Sequence, residues 1–163
     1  MANSDPALED QIRLVMLGVT MALFLVQAPI DLISRRLLRG PTLMALLVVC
    51  AMYLLTFVTS PQKSEISFAL ISSAILTCLT LGIHRASPTS LGFGDVLLVA
   101  PLSMAVAFTG IGWIAVWLLL ASTTAAVHGA VSYLVSKERA IPFGPHLLGA
   151  ASLVMLAQLE SLS

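Results

Sequence analysis

LVMLGVTMALFLVQAPIDLI, residues 14–33, decides the fold. The run carries one charge, Asp31, close to its end. About 20 mostly apolar residues at 1.5 Å each cross the hydrocarbon core of a bilayer. The run therefore reads as a transmembrane helix with an acid at its exit. An acid kept at such a place is read by default as functional, because burying it in a bilayer costs free energy.

Five more apolar segments follow, near 41–59, 66–83, 95–110, 112–135 and 143–159. The fourth and sixth are short, and Gly/Pro elements precede both. The connections are tight and leave no room for a soluble domain. The expected fold is all-α, a polytopic bundle of six transmembrane helices. Residues 1–163 are expected to form a single integral membrane domain.

Composition agrees. The chain is 58% hydrophobic and only 10% charged, with a mean hydropathy of +1.00. A soluble domain carries roughly 25% charged residues, so this surface is built for lipid. The net charge is zero, which offers nothing to a nucleic acid. Before the first run stand Asp5, Glu9 and Asp10 rather than a basic stretch. That run is therefore expected to stay as a permanent helix and not to be cleaved as a signal peptide. Cys50 and Cys78 lie inside apolar runs and read as small hydrophobes. His128 and His146 lack a second ligand at metal spacing, so no metal site is expected. Ser122, Thr123 and Thr124 read as helix-packing residues, and His84 with Arg85 as a solvated loop.

Basic residues set the orientation. With the Arg35–Arg39 connection inside, Arg35, Arg36, Arg39, Arg85, Lys137 and Arg139 face the cytoplasm, and only Arg13 and Lys63 lie outside. Both termini are then external. The first helix runs inward and ends at Asp31, while the fourth runs outward and begins at Asp95. Both carboxylates reach the cytoplasmic face at similar depth.

Two close carboxylates share one proton. One can act as base on a water while the other donates to a scissile carbonyl. Asp95, near a helix N-terminus, is the expected base, because the helix dipole favours charge there. Each acid also has a plainer reading. Asp95 can serve as an N-cap, and Asp31 can pair with Arg35 one turn on.

Gly92 and Gly94 flank Phe93 just before the second acid, and glycine permits positive φ and close backbone approach. This loop reads as a surface for an extended substrate, or as an ordinary entry into a helix. Pro142-Phe143-Gly144-Pro145 opens the sixth segment. Its prolines interrupt regular helix and leave carbonyls free. It reads as a cavity lining that holds a substrate strand, or as a helix start with proline near the first position.

These motifs resemble the type IV prepilin peptidase family, membrane aspartyl proteases of the Gly-x-Gly-Asp class. The first aspartate of that family is followed by a basic stretch, here Asp31-Leu-Ile-Ser-Arg35-Arg36-Leu37-Leu38-Arg39. The second lies in Gly-x-Gly-Asp, here Gly92 to Asp95, and the late Pro-Phe-Gly-Pro motif is Pro142 to Pro145. The chain departs from the family pattern at three places. Leu97 stands where a lysine is common, Leu38 and Arg39 replace Pro-Asn, and His146 takes the place of a hydrophobe. It also lacks the Cys-rich insertion linked to N-methylation, so it is similar to the short, peptidase-only form.

The resemblance implies an aspartic endopeptidase of the inner (plasma) membrane, without metal or organic cofactor. Asp31 and Asp95 are then catalytic, and Gly92, Phe93, Gly94, Pro142, Phe143, Gly144 and Pro145 bind substrate. The implied partner is a prepilin or pseudopilin-like precursor of a type IV pilus or secretion system, cut after a glycine at the cytoplasmic face. The alternative is a non-catalytic assembly factor or transporter whose aspartates bind a cation or carry protons.

Overall fold

The computed structural model describes residues 6–34, 37–59, 63–87, 92–108, 110–136 and 142–160. They form six helices: α1 (Pro6–Ser34), α2 (Arg39–Thr59), α3 (Lys63–Ala86), α4 (Phe93–Ala107), α5 (Gly112–Ser136) and α6 (Gly144–Glu160). Among the described residues there is no strand. Each apolar segment of the sequence coincides with one helix, within a few residues at most ends. α1 is the exception, starting earlier, at Pro6, because the polar residues ahead of the run still take helical backbone. α3 extends to Ala86, which places His84 and Arg85 in its last turn rather than in a loop. Basic side chains there complement the negative end of the helix dipole.

Four helices are long and apolar enough to cross a membrane: Gln11–Ile33, Arg39–Thr59, Ile66–Ala86 and Gly112–Val135. The other two are shorter. α4 has 15 residues, about 22 Å of helix, and α6 has 17, about 26 Å. Of the six expected spans, four are thus helices long and apolar enough to cross a membrane, and the other two segments form shorter helices. α4 stops at Ala107 because the chain turns at Gly110, whose φ of 153° no side-chain-bearing residue adopts readily.

The short helices form the centre. α4 packs against all five other helices, and α6 against α1, α4 and α5. From Pro101 to Ala107 every residue of α4 is buried. A helix that is apolar on all sides belongs in a core, and α4 takes that place. Ala105, Ala107, Ala121, Ala150 and Ala151 are buried too, and such small residues let helix backbones approach closely. By contrast, α3 and α5 expose Ile71, Ile75, Leu79, Leu119, Val127 and Leu134. Exposed apolar surface of this extent marks an interaction with a membrane or a partner, and the four long apolar helices are compatible with a membrane protein.

Polar side chains fasten the bundle through backbone carbonyls. The Tyr53 hydroxyl donates to the Met104 carbonyl at 2.6 Å. Gln158 Nε2 donates to the Val106 carbonyl at 3.1 Å. Trp117 Nε1, fully buried, donates to the Leu147 carbonyl at 2.9 Å. Met104 and Val106 lie in the last turn of α4, where carbonyls run out of intrahelical donors. α6 gives Val106 the donor the helix no longer supplies, and α2 gives Met104 a second one.

Candidate active site

Asp31 occupies the last turn of α1, and Asp95 the first turn of α4. Both are buried. The antiparallel course of the two helices brings these turns to one end of the bundle, where α6 also begins. The convergence is seen best at Gly144, the first residue of α6. A Cβ placed there would lie 2.9 Å from Oδ2 of Asp31 and 3.2 Å from Oδ1 of Asp95. Both carboxylates therefore border one spot, which only the bare Cα of a glycine leaves open. Among the described residues no cation is placed beside either acid. The ion-pair alternative for Asp31 falls on Arg35, outside the described residues.

Asp95 is held by backbone. It accepts hydrogen bonds from the backbone of Gly92 and of Gly144. Its Oδ2 would stand 3.2 Å from a Cβ at Gly92. The acid is thus gripped between two glycines, one before α4 and one opening α6. The use of glycine differs from the sequence expectation. Gly92 is extended, with φ −66° and ψ 144°, and Gly94 is helical; neither has positive φ. Close approach explains them instead. A Cβ on Gly94 would meet Cβ of Leu37 at 2.9 Å and its Cδ1 at 3.0 Å.

The other motif residues divide. Phe93 is partly exposed and turns away from the carboxylates. Its ring lies 5.8 Å beneath the Arg39 guanidinium and 5.7 Å from the His84 ring. Phe143 packs against the core. Its carbonyl is not free: it accepts from His146 N and Leu147 N, each at 3.1 Å. Pro145 is the second residue of α6, a position where proline's missing N–H costs nothing. Pro142 precedes the helix and is partly buried. Of the Pro142–Pro145 stretch, Gly144 is the residue that meets the acids.

Three features escape motif reading. Leu37, from the connection between α1 and α2, reaches the same spot as the carboxylates, with Cδ1 3.1 Å from the Cβ position of Gly144. Gln27, one turn before Asp31 and fully buried, donates through Nε2 to Thr42 Oγ1 at 2.9 Å, and Thr42 donates to the Leu38 carbonyl at 3.0 Å. Last, His128 and His146 do meet: Nδ1 of the first lies 2.9 Å from Nε2 of the second. Nδ1 of His146 stands 3.2 Å from Thr124 Oγ1. These residues line a groove of about 340 Å³ between α1, α5 and α6, whose α1 wall is Phe24, Ala28 and Leu32. Gln27 shared the helical face of Asp31 at a spacing of four, a signal available in the sequence. The histidine pair and Leu37 gave none, since their partners come from other helices. Comparison with protein-family models, curated proteins and solved structures finds no match to this chain.

Proposed function

We propose that this chain is a membrane aspartyl endopeptidase that removes the leader of prepilin-like precursors at the cytoplasmic face of the inner membrane. One observation carries the reading: Asp31 and Asp95, from two helices far apart in sequence, direct carboxylate oxygens to one spot beside Gly144. Helix packing alone does not call for two acids side by side, since like charges repel and one must hold a proton.

The chemistry follows from the arrangement. Asp95 sits at a helix N-terminus and accepts backbone hydrogen bonds, which suits the charged partner. Asp31 sits at a helix C-terminus and carries the shared proton. Water entering between them loses a proton to Asp95 as it adds to the scissile carbonyl, whose oxygen accepts from Asp31. The tetrahedral adduct collapses when the proton on Asp95 passes to the leaving amine. Asp31 recovers its proton from the adduct's hydroxyl, and the pair returns to its starting state.

The groove between α1, α5 and α6 is the proposed side entry for an apolar substrate helix. The six crossings and the external termini belong to this proposal. So does release of an unmethylated product, because the chain has no Cys-rich insertion. Co-expression with a pilin-like precursor, followed by mass spectrometry of the product, tests it. The expected result is a cut at the inner end of the precursor's apolar helix. A cut on the outer side, or none with any pilin-like precursor, would refute it. For orientation, cysteine labelling from outside is expected to reach position 62 and to spare position 87; equal labelling overturns the topology.

A further inference from the structure

We propose that Leu37 fixes how large a residue the cleft accepts beside the two carboxylates, and that it keeps this place for glycine. The inference rests on the peptidase reading and names a specificity determinant within that site.

Three observations place Leu37 there. First, its Cδ1 is 3.1 Å from the Cβ position of Gly144, the same point that lies 2.9 Å from Oδ2 of Asp31 and 3.2 Å from Oδ1 of Asp95. One methyl group and two catalytic oxygens therefore border a single small space. Second, Leu37 is backed against α4. Its Cβ and Cδ1 lie 2.9 and 3.0 Å from the Cβ position of Gly94, so Gly94 is what admits Leu37 and leaves it no room to retreat. Third, its neighbour in the chain is tied down. The Leu38 carbonyl accepts from Thr42, which accepts from the buried Gln27. α1 and α2 thus hold the base of Leu37 while α4 holds its flank.

A peptide that brings its scissile carbonyl between Asp31 and Asp95 must set the preceding Cα near this space. A side chain on that Cα would be driven into the Leu37 methyl or into a carboxylate. Glycine offers nothing to clash and allows the extended, unhelical backbone that the narrow cleft requires. Because interiors are close-packed, a wall fixed on two sides rejects even one extra methyl.

The test is the ratio of kcat/KM for two precursors that differ only in having glycine or alanine before the cut. The full-length protein is assayed in membranes as wild type, Leu37→Ala and Leu37→Val. One methyl group in a fitted pocket is discriminated by about 10–200-fold, and the wild type is expected to prefer glycine within that range. Leu37→Ala is expected to shrink the preference about tenfold by raising turnover of the alanine precursor. Leu37→Val, which keeps γ-methyl groups but loses the δ-methyl that borders Gly144, is expected to fall between. A Leu37→Ala protein that cuts the glycine precursor with an unchanged ratio overturns the inference. If Leu37→Ala fails to insert, the same ratio in Leu37→Val decides. A wild type that cuts both precursors equally removes the inference and leaves the peptidase standing. A wild type that cuts neither removes both.

Discussion

The two ends of α4 solve the same problem with opposite materials. Every helix leaves its last carbonyls and first amides without intrahelical partners. At the C-terminal end, neutral donors from neighbouring helices close the account: Tyr53 to Met104 and Gln158 to Val106. At the N-terminal end stand two acids, and glycine backbone is all that the described residues set against Asp95. A bundle that needed only stability would finish both ends in the first way. In the proposed function, one end of α4 holds the bundle together and the other carries the reaction.

The largest effect expected from breaking this division comes at the acids. Asp31→Asn or Asp95→Asn keeps the shape and removes the ionisable group. Each is expected to lower cleavage about 10²-fold or more while the protein still inserts and keeps its helicity by circular dichroism. Cleavage within a few-fold of wild type in either variant would sink the paired-acid mechanism.

Next comes Gly144→Ala. The new methyl would stand 2.9 Å from Asp31 Oδ2, closer than van der Waals contact allows, so a carboxylate must move. Displacement at a reacting centre is expected to cost about 10–100-fold in cleavage rate, and the overpacking about 1–3 kcal/mol of stability. Gly18→Ala is the matched control, because nothing lies within 4 Å of its Cβ position. It is expected to leave cleavage unchanged and to raise the unfolding temperature slightly, since alanine favours helix over glycine by about 1 kcal/mol. Equal loss in both variants would erase the special standing of Gly144.

The smallest effect on cleavage is expected at the far end. Tyr53→Phe removes the hydroxyl's bond to the Met104 carbonyl, at a cost of about 0.5–1.5 kcal/mol. Unfolding by denaturant in detergent is expected to show that loss, with kcat/KM unaltered. A fall in kcat/KM at constant stability would mean that the two ends of α4 are coupled.

Much of this architecture is legible from hydropathy, because long apolar runs leave little choice but helix. The ends are less legible. The fourth run was expected to reach residue 110, yet α4 stops at Ala107, where backbone geometry at Gly110 overrides composition. The approach of Asp31 and Asp95 was expected from the alternation of helix direction, and the two do meet in the structure. What escaped is contact that only packing creates. Leu37 sits in a connection that reads only as a basic, cytoplasmic stretch. His128 and His146 are separated by a turn of chain, and ligand-spacing rules see only neighbours on one helix. Phe93 looked like a lining residue by its place between two glycines, but α4 turns its ring toward Arg39 and His84.

The histidine pair has a mechanical consequence for α6. With the Thr124 hydroxyl proton given to the Leu120 or the Ala121 carbonyl, its oxygen accepts from Nδ1–H of His146. That bond persists whether the ring is neutral or charged, because Nδ1 is protonated in both forms. His146 follows Gly144 by two residues, roughly 200° around the helix at 3.6 residues per turn. One side of the first turn of α6 is therefore clamped to α5 while the opposite side faces the acids. A twist of α6 about its long axis would have to tear the imidazole from Thr124 before it could swing the Gly144 amide off Asp95. The angular setting of the cleft is thus locked from outside the cleft.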